Sequence, residues 1–468
     1  MIPKSDFKAR VFDYIDIIES MTDYGPALMA TVNEILKSHK HLHDRTTMLY
    51  LHSIVPILME FNRWLINKSM KDKVKRLYFL SRDGFQPYLI AKKYVEITGI
   101  DIDCRYVYLS RQSMKMPGYH MDFKGAVDSI CTGGIDVNLK MILKRAGLDY
   151  AQCLEVLKEL GLENQADKVL NYRQIADLRE KLKKNTLLRQ LINKNSKEAY
   201  DNAMGYLKQE GFMDDIDYAV VDSGWIGTLQ IAIEKLVGKR IKGYYFGMYE
   251  LPTKIEKDRF DAYFFKATEG LGRKAIFSNS LFETICSAPN GMTIGYEKAG
   301  EKYVCKLKDK DNPNAQKIER NIECLNIMLS NANEIIKAKQ AADFNYRKSL
   351  KFSKKICLLL MAKPTRMEVK GFGNYVFSDD VLEANKQYVA ADLSLSEIKK
   401  GQLFNKMLTV LGIKKGAIHE SAWIEGSIVK ACEGLPAGGK RVRLKYLRAI
   451  RRYKHIVFLR KQIKAGVR

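Results

Sequence analysis

Two stretches of this chain share one design, and together they restrict its fold more than any other feature. The first is Leu77-Tyr78-Phe79-Leu80 followed by Ser81-Arg82-Asp83-Gly84. Four consecutive apolar residues suit a strand covered on both faces, as in a parallel sheet. The run stops at a hydroxyl, a cation, a carboxylate and a glycine, and Tyr88, Leu89, Ala91, Tyr94 and Val95 then follow at helical spacing. The second is Tyr218-Ala219-Val220-Val221, then Asp222-Ser223-Gly224-Trp225-Ile226-Gly227-Thr228, then a helical pattern through Ile231, Ile233, Leu236 and Val237. A lone Asp-Gly corner is an ordinary turn. Two strand–corner–helix units, each bringing an acid to the end of a buried strand, predict an α/β fold. Its sheet would be open, mainly parallel and Rossmann-like, with a ligand site at the carboxyl edge.

Two further runs support that sheet. Cys104-Arg105-Tyr106-Val107-Tyr108-Leu109 reads as a strand ending at Ser110-Arg111, and Ile241 to Met248 as another. If the first two strands are neighbours, Arg82 and Arg111 meet at one edge, either as a phosphate or carboxylate clamp or as a solvated pair. In the second corner, Ser223, Gly224 and Gly227 are small enough for backbone amides to approach an oxyanion beside the helix start at Thr228. Trp225 would stack on a flat ligand or seal the pocket. The loop is neither a Walker A loop nor Gly-x-Gly-x-x-Gly. Glu283 stands inside an apolar run before Pro289-Asn290-Gly291. There it is either a carboxyl with a raised pKa or an exposed residue of an amphipathic helix.

The remaining chain divides by pattern. Residues 1–70 read as a helical lead-in, 71–300 as the α/β core with a helical insertion at 112–215, and 301–437 as a helical C-terminal region. Residues 438–468 form a tail with twelve Lys or Arg and no acid, against a net charge of +25 for the 468-residue chain. Such an excess calls for an acidic partner. Val442, Tyr446, Ile450, Tyr453 and Val457 recur at near-helical spacing, which predicts a basic amphipathic helix on an anionic membrane surface; a helix packed on the body is the alternative. Nucleic acid fits the charge, but no recognition motif accompanies it. Eight cysteines without a Cys-x-x-Cys pair exclude a zinc ribbon or disulfide framework and fit a reducing compartment. His39, His41 and His43 lack a further ligand at a recognised spacing. No signal peptide or membrane span is legible. A cytoplasmic protein, peripheral on the inner face of the membrane, is expected.

The order of these motifs is familiar. Phe79-Leu80-Ser81-Arg82-Asp83-Gly84, Tyr108-Leu109-Ser110-Arg111, Val221 to Gln230, Gly243-Tyr244-Tyr245-Phe246-Gly247 and Phe282 to Gly291 together resemble a domain of bacterial capsule and lipopolysaccharide gene clusters. That domain is usually filed as a predicted hydrolase of the haloacid-dehalogenase-like (HAD) superfamily. The resemblance covers roughly Tyr24 to Gly426. It implies a HAD-like sheet, a phosphorylated sugar or nucleotide sugar as ligand, Mg²⁺, and glycosyltransferases of the same pathway as partners. True members carry Asp-x-Asp-Gly after a strand, the first Asp as nucleophile and the second as acid/base. On that pattern Ser81 takes the nucleophile's place, Asp83 the acid/base's and Gly84 the glycine's. A serine there needs an activating base that the sequence does not identify. The expected catalytic set is Asp83, Asp222, Ser81 and Glu283. The expected binding set is Arg82, Gly84, Arg111, Ser223, Gly224, Trp225, Gly227 and Thr228. Metal would fall to Asp83 and Asp222, with Asp379-Asp380 a weaker late pair. A glycosyl- or phosphoribosyl-type transferase and a non-catalytic scaffold of a membrane-associated assembly are the alternatives.

Overall fold

The computed structural model describes residues 4–133, 137–252, 257–340, 344–378, 382, 386–399 and 421–466. Five strands, β1 (Arg76–Leu80), β2 (Asp103–Val107), β3 (Tyr218–Trp225), β4 (Lys242–Met248) and β5 (Phe260–Phe265), form one sheet in the order β2-β1-β3-β4-β5. Every neighbouring pair is parallel. β1 is buried along its whole length and β4 from Gly243 onward, as expected of strands covered on both faces. The chain winds outward from β1 to β2, then re-enters on the other side of β1 as β3. The reversal lies between β1 and β3, and their carboxyl ends flank the crevice where doubly wound sheets take ligands. Both corners lie there.

One face of the sheet is covered by the helix Val55–Lys71. Its Phe61 packs on Phe246 with ring centroids 5.5 Å apart, and its Trp64 on Tyr244 at 6.1 Å. Helices from both ends of the chain share this core through residues such as Tyr14, Leu28, Phe352, Met361 and Trp423. On the other face Tyr78, Leu80 and Val220 meet Ile233 and Leu236 of the helix Thr228–Val237, and Leu207 of the helix Thr186–Gln209. The insertion keeps a core of its own around Val127, Ile142, Val156 and Ile192.

Three elements depart from the sequence expectation. β2 stops at Val107 because Ser110 begins a new helix, Arg111–Lys115, in a reciprocal cap with Ser113. Arg111 therefore starts a helix and does not end a strand. β3 runs on through the presumed loop to Trp225, pairing Gly224 with Gly247 and Trp225 with Met248. An antiparallel hairpin, β6 (Thr293–Ala299) and β7 (Lys302–Leu307), follows the Pro-Asn-Gly turn. The tail is one helix, Lys440–Gly466, with Leu447 and Ile450 buried against Ile428. Of the five residues expected to form its apolar face, Ile450 is buried, Tyr446, Tyr453 and Val457 are half-buried, and Val442 is exposed. No described helix is long and apolar enough to cross a membrane.

Candidate active site

The β1 corner is fixed by its neighbours. The Ser81 backbone N–H donates to the Val107 carbonyl at 3.0 Å, and its hydroxyl donates to the Leu109 carbonyl at 3.1 Å. Asp83 Oδ2 accepts from the Ser223 hydroxyl at 2.7 Å, a bond that joins the two corners across the switch point. Gly84 does not line the cavity. A Cβ there would lie 2.5 Å from the Leu80 carbonyl oxygen, which accepts from the Gly84 N–H at 2.9 Å. Its expected part in binding substrate is thus replaced by a structural one: it lets the chain turn tightly into the helix Phe85–Thr98.

At the β3 corner, Gly224 has φ 110° and Trp225 φ 79°. A Cβ on Gly224 would sit 2.5 Å from the Gly247 carbonyl oxygen, so only glycine lets β3 bend here while staying paired to β4. A bulky residue at positive φ is uncommon and is held by its surroundings. Trp225 packs on Tyr249, Phe265 and Phe277, with ring centroids 5.4 to 6.2 Å away, and its indole N–H donates to Glu283 Oε1. Trp225 thus forms part of the cavity wall. Gly227 occupies the N-cap of Thr228–Val237 and adds no side-chain cap.

A cavity of about 280 Å³ opens between the corners. It brings together Ser81, Arg82, Asp83, Arg111, Asp222, Ser223, Gly224, Trp225, Gly227, Thr228 and Glu283, every expected site residue except Gly84. Glu283 enters from the middle of the helix Asn279–Cys286. Ser110, Thr284, Ser287, Thr293, Asn312, Asn314 and Lys386 are among the other lining residues and were not foreseen. They are single hydroxyls, amides and a cation scattered along the chain, and only the Asn312-Pro313-Asn314 cluster marks itself as a turn.

Burial pushes the Asp222 carboxyl up to about 7, and the charge of Asp83 adds to the shift. The Ser223 and Gly224 amides and Arg111 oppose it. Burial pushes Glu283 further, to about 8, again with Asp83 adding, while the Trp225 indole and Arg111 pull it back. These carboxyls titrate as a set and retain protons near neutrality.

Among the described residues no three His, Cys, Asp or Glu side chains cluster as a metal cage. His41 instead meets Glu323 Oε1 at 2.8 Å, and Asp379-Asp380 lies outside the described residues. A Mg²⁺ at Asp83 and Asp222 would need water and substrate phosphate oxygens to complete its shell, the way Mg²⁺ is commonly held. No family model matches the chain, and no curated protein matches it.

Proposed function

We propose that this chain is a HAD-like protein of bacterial surface-polysaccharide biosynthesis that catalyses transfer or hydrolysis on a phosphorylated sugar or nucleotide sugar. The observation that carries this reading is the convergence of Arg82 and Arg111 with Asp83, Asp222 and Glu283 in one cavity at the switch point of a parallel sheet. Guanidinium forks match phosphoryl oxygens. The hydroxyls of Ser110 and Thr284 already donate to the Thr293 and Ser280 carbonyls and keep lone pairs to accept from a sugar hydroxyl, whereas Thr293 can both donate and accept. Thr293 Oγ1 in particular is buried with no hydrogen-bond partner among the described residues, and such a ligand would satisfy it.

The carboxyl set offers both a proton donor and an acceptor, the requirement for acid–base catalysis of group transfer. In this reading Asp83 takes the proton from water or an acceptor hydroxyl as that oxygen attacks. Glu283 or Asp222 gives a proton to the departing oxygen. The Ser81 hydroxyl is engaged with Leu109, so no covalent phosphoserine is invoked, and the route differs from the aspartyl-phosphate chemistry of true HAD hydrolases. Glycosyltransferases of the same pathway would supply or consume the ligand.

The test is incubation of the purified protein with sugar phosphates and nucleotide sugars, with and without Mg²⁺, reading phosphate and nucleotide release. Release that disappears in Asp83→Asn supports the proposal. Transfer from a nucleotide sugar or phosphoribosyl pyrophosphate to an acceptor, without hydrolysis, would favour the transferase alternative. Thermal stabilisation by a ligand with no turnover would leave a binding scaffold.

A further inference from the structure

The tail helix Lys440–Gly466 is fastened to the body along one side. Leu447 and Ile450 are buried, Lys454 Nζ lies 2.7 Å from Glu425 and Lys461 Nζ 2.7 Å from Glu250. Phe458 stacks on Tyr249, with ring centroids 4.9 Å apart and planes 12° from parallel. At 3.6 residues per turn, Arg441, Lys445, Arg448, Arg452, Ile456, Leu459 and Ile463 follow one another at steps of three and four along a different side. All seven are exposed, the three apolar ones by 53%, 41% and 55%. The stripe is therefore cationic over its first half and apolar over its second. No acid occurs anywhere in 438–468. This is not the Val442-to-Val457 face that spacing alone selects.

We propose that this stripe docks the protein on an anionic lipid surface, its cations against headgroup phosphates and Ile456, Leu459 and Ile463 among the acyl carbons. Charge complementarity selects an anionic partner. The exposed apolar half selects lipid over nucleic acid, because isoleucine and leucine gain nothing from a phosphate backbone. The Phe458–Tyr249–Trp225 contacts would keep the cavity two ring contacts from the docked helix. The inference stands on the tail alone and holds whatever reaction the cavity performs.

The experiment is co-sedimentation of the full chain with phosphatidylglycerol-containing and phosphatidylcholine-only vesicles, in low and high salt. Each cation near an anionic surface contributes about fivefold in partitioning, so Arg448→Gln with Arg452→Gln should weaken binding by about 25-fold. Ile456→Ser with Leu459→Ser should weaken it by about tenfold and remove the part that survives high salt. These side chains are exposed, so both variants should melt at the wild-type temperature, unlike a truncation, which would uncover Ile428 and Cys432. Equal pelleting with neutral vesicles, or wild-type binding by either double variant, would overturn the proposal. So would binding to duplex DNA or polyglutamate that the Ile456/Leu459 variant retains while vesicles are ignored.

Discussion

At the amino edge of the sheet, Arg76 of β1 meets Asp103 at 2.7 Å and Asp214 at 2.6 Å, and Asp261 of β5 lies 2.9 Å from Lys68. At the carboxyl edge, Asp83, Asp222 and Glu283 share one cavity with Arg82 and Arg111. The first arrangement lowers the pKa values of Asp214 and Asp261. The hydrogen bond from Arg76 holds Asp214 down, and Lys266 and Lys68 outweigh the burial that would raise Asp261. At the carboxyl edge Asp222 and Glu283 are raised instead, first by burial and then by the charge of Asp83. Paired charges tie strands together, whereas crowded acids at a sheet's binding edge are stored reactivity. On the proposed function, one edge serves stability and the other chemistry.

The sharpest way to break it is to mutate one residue from each edge. Asp222→Asn should lower turnover by about 10²–10⁴-fold with little change in urea midpoint. Arg76→Met should cost about 1–3 kcal/mol of stability and leave kcat as it was. Steady-state rates and urea melts on both variants check the pair, and an exchange of phenotypes would dissolve the distinction.

Gly224 tests whether backbone strain at the carboxyl edge holds the site together. With φ 110° and the Gly247 carbonyl 2.5 Å from any Cβ, Gly224→Ala should destabilise by about 1–3 kcal/mol. It should also reduce turnover by moving Asp222 and Trp225. A melt and a rate that both stay at wild type would show that β3 does not need the bend.

The smallest expected effect is one of sign. Asp222 and Glu283 bind protons more tightly folded than unfolded, so the folded state holds extra protons from about pH 4 up to their raised values near 7 and 8. Their contribution to stability falls as pH rises through that window. Asp214 does the reverse: its contribution is present above about pH 4 and is lost as the solution is acidified further. Glu283→Gln should therefore flatten the decline of Tm between pH 5 and 8 while leaving the acid-side loss intact. Fluorimetric melts across pH measure both slopes, and an unchanged neutral slope would contradict the raised pKa of the buried Glu283.

Much of this was legible from the chain because buried parallel strands announce themselves. Leu77–Leu80 and Tyr218–Val221 carry unbroken apolar runs, and polar corners mark where each meets the cavity. Spacing could not show that β3 continues to Trp225, since that depends on Gly247 approaching Gly224 from another strand. Ser110 looked like a strand end, yet its hydroxyl caps a helix through Ser113, a local bond that competes with the ladder. Gly84 looked like a ligand contact and proved to be a packing requirement against Leu80. Thr293 reaches the cavity from the start of β6, and Asn312 and Lys386 from segments outside the main sheet, positions that only the tertiary fold determines. The tail is apolar on more than one side, so periodicity could not decide which side the body would take.

The central claim is that the carboxyl-edge cavity binds a phosphorylated sugar through Arg82 and Arg111. Its most direct measurement is ligand-induced thermal stabilisation across sugar phosphates and nucleotide sugars, for wild type, Arg82→Gln and Arg111→Gln. A charged hydrogen bond is worth about 1.5–3 kcal/mol. At least one compound should raise the wild-type Tm, and each substitution should weaken its apparent affinity by about 10–100-fold. If no compound stabilises the wild type, or if the variants are stabilised as strongly as it is, the cavity is not a phosphosugar site.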